Sequence, residues 1–97
     1  MDHSLFYIDI SIQTTEGPKR FGRFELGSDR TAAYELFKKM KGSPAADPRD
    51  MLYIEFMETI NGLPVNLNLL TCDLQELGTN TMMITQEVFR LCNLGTR

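Results

Sequence analysis

The chain has 97 residues, with 10 Lys+Arg against 13 Asp+Glu, one His and two Cys. That length fits a single domain with one modest core, and a net charge of −3 argues against nucleic acid or an anionic membrane surface as a partner, since both recruit cationic side chains. No apolar run approaches the roughly 20 residues of a spanning helix, Met1-Asp2-His3-Ser4 lacks the basic start of a signal peptide, and two cysteines make no disulfide framework, so the expected compartment is the cytoplasm.

Leu5 to Thr15 alternates, with Phe6, Ile8, Ile10 and Ile12 on one face and Tyr7, Asp9, Ser11 and Gln13 on the other, which predicts a half-buried strand. Glu16-Gly17-Pro18 predicts a turn. Lys19 to Leu26 predicts a second strand, with Gly22, Phe24 and Leu26 inward and Phe21, Arg23 and Glu25 outward. Gly22 marks a bulge there. Ser28 or Asp29 then caps a helix whose stripe is Ala33, Leu36, Phe37 and Met40, with Gly42 as its left-handed stop.

Gly42 to Asp50 carries two prolines and no periodicity, so it is expected to be a loop. Met51 to Ile60 alternates again, with Leu52, Ile54 and Phe56 inward and Tyr53, Glu55, Met57 and Thr59 outward. Asn61-Gly62 signals a hairpin turn. In the strand that follows, Val65, Leu67 and Leu69 are expected inward and Asn66, Asn68 and Leu70 outward. Asp73 to Leu77 suggests one helical turn, and Thr79-Asn80-Thr81 offers caps for a last helix with the stripe Ile84, Val88, Leu91 and Cys92, stopped at Gly95.

The order is ββαββα, and its halves resemble each other. Leu5-Phe6-Tyr7-Ile8-Asp9-Ile10 matches Met51-Leu52-Tyr53-Ile54-Glu55-Phe56 at an offset of 46, and the helix stripes match at an offset of 52, with Phe37 against Phe89. The expected architecture is therefore a single-domain α+β two-layer sandwich (1–97). Two ββα repeats, about 5–42 and 51–95, are joined by the loop 42–50. They build a four-stranded, mainly antiparallel sheet with both helices on one face.

No motif names a reaction. His3, the only imidazole, falls at the expected frayed start and is read as inert. Cys72 and Cys92 lack metal-ligand spacing and a nearby base, and are read as structural. There is no phosphate loop, zinc motif or nucleophile elbow. Arg20-Phe21-Gly22-Arg23-Phe24 is only a faint echo of an RNA-stacking motif. The expectation is a non-enzymatic module without metal or cofactor. The outer sheet face is half apolar, with Tyr7, Phe21, Tyr53 and Met57 among Asp9, Arg23, Glu55, Asn66 and Asn68, in the manner of a protein interface. The expected partner is protein, including a second copy in a homodimer through this face or through an unpaired strand edge. The competing expectation is a small-molecule or acid–base site on the duplicated pairs Tyr7/Asp9 and Tyr53/Glu55, which needs a pocket to raise one carboxyl; on an open sheet face both carboxylates are expected to be simply solvated.

Overall fold

The computed structural model describes residues 4–43 and 52–90. It contains β1 (Ser4–Thr14), β2 (Gly17–Gly27), α1 (Arg30–Lys38), β3 (Leu52–Ile60), β4 (Leu63–Cys72) and α2 (Leu74–Phe89). The strands form one antiparallel sheet in the order β2-β1-β3-β4. Phe6, Ile8 and Ile10 of β1, with Leu52, Ile54 and Phe56 of β3, form the buried face. Ala33, Leu36 and Phe37 of α1, Met40 just beyond its C-cap, and Ile84 of α2 close over it, so both helices lie on one side of the sheet. Phe37 stacks on Phe56 with ring centroids 4.9 Å apart. The α+β sandwich read from the alternating strands is therefore the fold. The loop from Pro44 onward and the expected helix-stripe residues Leu91 and Cys92 lie outside the described residues.

Local chemistry explains where the elements differ from expectation. Asp29, not Ser28, caps α1, its Oδ1 accepting from the Ala32 N–H at 3.0 Å. The turn after β1 falls at Thr15-Glu16, and Gly17 opens β2. A separate turn at Asp73–Leu77 does not form. α2 runs unbroken from Leu74 because Asp73 and Glu76 make a reciprocal capping box, at 2.7 and 3.0 Å, one residue after β4. Asn80 is therefore no cap. It is fully buried mid-helix, its Oδ1 accepting from the Lys41 N–H and its Nδ2 donating to the Lys41 carbonyl, both at 2.7 Å. Nor does Gly42 stop α1, whose C-cap is Lys39. Gly42 crosses the backbone of β4 at φ +155°, where a Cβ would lie 2.7 Å from the Thr71 carbonyl oxygen. Ser43 then forms a two-hydrogen-bond bridge with Thr71.

The expected bulge is present. Gly22 pairs with Ile10 and Arg20 with Ser11, leaving Phe21 as the extra residue. The second hairpin bulges in the same way: Asn68 pairs with Phe56 and Asn66 with Met57, leaving Leu67 over. This corrects the facing of β4. Beyond the bulge Leu70 pairs with Ile54 and packs against the core, while Leu69 pairs with Glu55 on the outer face. Phe24, Leu67 and Val88 are only partly buried, and Ile12 is exposed.

Every pair from Tyr7–Glu25 to Thr14–Gly17 recurs 46 positions later, from Tyr53–Thr71 to Ile60–Leu63. In the central pairing of β1 with β3, Asp9 faces Glu55, its counterpart at that same offset. The correspondence stops at the helices. α1 has 9 residues and α2 has 16. Phe37 is buried, whereas Phe89 is 57% exposed.

Candidate interaction surface

The face opposite the helices is built from cross-strand neighbours. Tyr7 sits opposite Glu25 and Met57, Asp9 opposite Arg23 and Glu55, and Ser11 opposite Arg20 and Tyr53. Partners across antiparallel strands share a face. The bulge at Phe21 shifts the register so that Arg20, like Arg23, reaches the outer side.

The sequence suggests an open centre, but the structure closes it. Tyr7 and Asp9 are only 6% and 7% exposed. Arg23 covers both: its Nε and Nη2 donate to the two carboxylate oxygens of Asp9 at 2.7 and 3.1 Å, and its guanidinium carbon lies 4.3 Å from the Tyr7 ring centroid. Arg20 adds a longer contact to Asp9 at 3.7 Å. Asp9 raises the Arg23 guanidinium further above its ordinary value, chiefly through this hydrogen bond. The expectation of a solvated Asp9 fails because its cross-strand neighbour is an arginine long enough to fold over it.

The other half of the face is looser. Tyr53, Glu55 and Met57 are half-buried. The Asn66 Nδ2 donates to Glu55 Oε2 at 3.2 Å, and the Tyr53 hydroxyl donates to Gln13 Oε1 at 3.3 Å. A cleft of about 300 Å³ opens here, lined by Ser11, Gln13, Pro18, Tyr53, Glu55 and Leu69. Asn68 does not belong to this face. It pairs with Phe56 on the helix side, and its Oδ1 accepts from the Leu69 N–H at 2.8 Å. Of the expected interaction face, the structure therefore gathers Tyr7, Asp9, Arg23, Tyr53, Glu55, Met57 and Asn66, with Phe21 exposed at the bulge of the outermost strand.

The two outermost strands differ. β2 carries Lys19, Arg20, Arg23 and Glu25. From Thr59 to Cys72, through the whole of β4, there is no charged residue. Leu63, Val65 and Leu69 are exposed there, Leu63 to 69%. On its outward edge, Thr71 of β4 bridges to Ser43. A further exposed apolar row, Leu74, Met82 and Phe89, runs along α2.

Sequence reasoning missed Glu58. Its parity with Leu52, Ile54 and Phe56 was the signal that it points toward the helices. It is 2% exposed, and Arg30 at the start of α1 donates to it at 2.8 Å. Cys72, the described cysteine, is fully buried in the core. Among the described residues, no three His, Cys, Asp or Glu side chains converge as metal ligands, and no helix is long and apolar enough to cross a membrane. No family model matches this chain, and no curated protein or solved structure is significantly similar to it.

Proposed function

We propose that this chain is a small cytoplasmic interaction module that associates with a second copy of itself through the outward edge of β4. The carrying observation is that β4, an outermost strand, carries no charged residue from Leu63 to Cys72 and leaves Leu63, Val65 and Leu69 exposed. Edge strands of solitary proteins are normally blunted by charge, because their free N–H and C=O groups template pairing with another chain. β2 has that protection and β4 does not. Pro64 and the bulge at Leu67 shorten the usable edge of β4. An antiparallel pair of identical strands is self-complementary about a twofold axis, so a second copy fits without a new surface. The reading is non-enzymatic. Its support is that Asp9, one of the two carboxylates considered for acid–base work, is committed to Arg23.

Sedimentation velocity tests this. The wild type is expected to run as a dimer, and the double substitution Leu63→Lys/Val65→Lys as a monomer with an unchanged circular dichroism spectrum. A wild type that stays monomeric at millimolar concentration, or a lysine variant that stays dimeric, rules out the β4 edge.

A further inference from the structure

The two hairpins surround their acidic residues differently, although the residues occupy corresponding positions. Around Asp9 the chain supplies its own cation: Arg23 stacks on Tyr7 and makes a two-pronged hydrogen bond to the carboxylate. Forty-six positions later, Tyr53 stands for Tyr7, Glu55 for Asp9 and Asn66 for Arg20. The cross-strand partner of Glu55, where Arg23 would stand, is Leu69. The Asn66 amide reaches Glu55 much as Arg20 reaches Asp9, but it is neutral. No described Lys or Arg forms an ion pair with Glu55. In place of a guanidinium there is the cleft of about 300 Å³.

We propose that this cleft binds a guanidinium group, held between the Glu55 carboxylate and the ring of Tyr53 as Arg23 is held between Asp9 and Tyr7. A flat, delocalised cation can satisfy a carboxylate with two parallel N–H donors while lying on an aromatic face, which a compact ammonium cannot do as well. The Gln13 side-chain oxygen, which already accepts from Tyr53, and the Ser11 hydroxyl line the cleft and offer acceptors for the remaining N–H groups. Leu69 and Pro18 give apolar walls for a methylene stem. The volume suits a guanidinium on a short chain and lies at the small end of ligand sites. The inference rests on the correspondence between the hairpins and does not depend on the β4 edge.

The test is a titration of the protein with methylguanidinium, read by backbone amide chemical shifts, with neutral, isosteric N-methylurea as control. Methylguanidinium is expected to give saturable shifts centred on Tyr53, Glu55 and Leu69, and methylurea none. Glu55→Gln removes the charge and keeps the shape, and should weaken binding about tenfold or more. Leu69→Arg places the chain's own guanidinium where Arg23 stands in the first hairpin, and should abolish the response while keeping the fold. Agmatine and Nα-acetyl-argininamide separate the two sources of the group: stronger binding of the first marks a free small molecule, of the second an arginine side chain. Equal shifts with methylurea, unchanged affinity in Glu55→Gln, or undiminished binding in Leu69→Arg would each overturn the proposal.

Discussion

Asp9 and Glu58 are carboxylates withdrawn from water on opposite faces of one sheet, and each is matched by an arginine from a neighbouring element. Burying a carboxylate is tolerable only when a partner replaces its hydration. Arg30 does this for Glu58 while its guanidinium carbon lies 5.1 Å from the Phe6 ring centroid, so one side chain covers both a charge and an aromatic edge of the core. Removing that arginine leaves a carboxylate stranded among apolar groups. Arg30→Met is therefore expected to cost about 2–4 kcal/mol in urea denaturation, toward the low side of the buried-pair range because Arg30 is itself partly exposed. Glu58→Leu leaves only a half-solvated arginine and should cost less. The double variant should lie closer to the wild type than the sum of the two. Additive losses would mean that the pair contributes nothing as a pair. The burial of Glu58 was legible from its parity in β3. The burial of Asp9 was not, because it depends on which residue the bulge in β2 sets opposite it.

Between elements, the molecule is pinned by a few unequal contacts. α1 is held by Phe37 stacked on Phe56, and Phe37→Ala is expected to cost roughly 3–5 kcal/mol through lost burial and a cavity, measured by thermal or urea unfolding. A loss below about 1 kcal/mol would show that the stack contributes little. α2 has weaker local logic. Gly78 lies inside it, exposed, and a Cβ there would meet no atom within 4 Å. Gly78→Ala should stabilise by up to about 1 kcal/mol, since it lowers the entropy of the unfolded chain and meets no obstruction. Gly42→Ala should destabilise, because the added methyl collides with the Thr71 carbonyl. If both changes were neutral in the same urea titration, neither the helix nor the crossing at β4 would be under the constraint described. The helix stripe of α1 was readable from spacing alone. The sequence pattern of α2 breaks into two pieces because glycine and threonines interrupt it, although Asp73 and Glu76 stand at capping-box spacing and carry the signal for its start.

At the scale of the whole molecule, alternation in the sequence predicted four strands and the side facing the helices, but not which hairpin edges meet. Strand order is decided by β1 and β3, the two strands with buried side chains on the helix face along most of their length, and these take the centre. β2 and β4 are left outermost, and only one of them is charged. This arrangement makes edge association distinguishable from stacking of the outer faces. Across a paired edge, residues near the twofold axis approach to strand spacing, within the roughly 4.4–6.8 Å between Cα atoms that a disulfide spans. Across stacked sheets the backbones stand about 10 Å apart, beyond that reach. Single cysteines introduced along β4 at Val65, Asn66 and Leu69, in a Cys92→Ser background, should therefore include one that cross-links two copies under mild oxidation on a non-reducing gel. Glu25→Cys on β2, Met57→Cys on the outer face and Met82→Cys on the exposed row of α2 should not. Cross-linking at Met82 would move the interface to α2, and cross-linking at Glu25 would move it to the opposite edge. Failure at all three β4 positions would leave the uncharged edge without the partner that its composition invites.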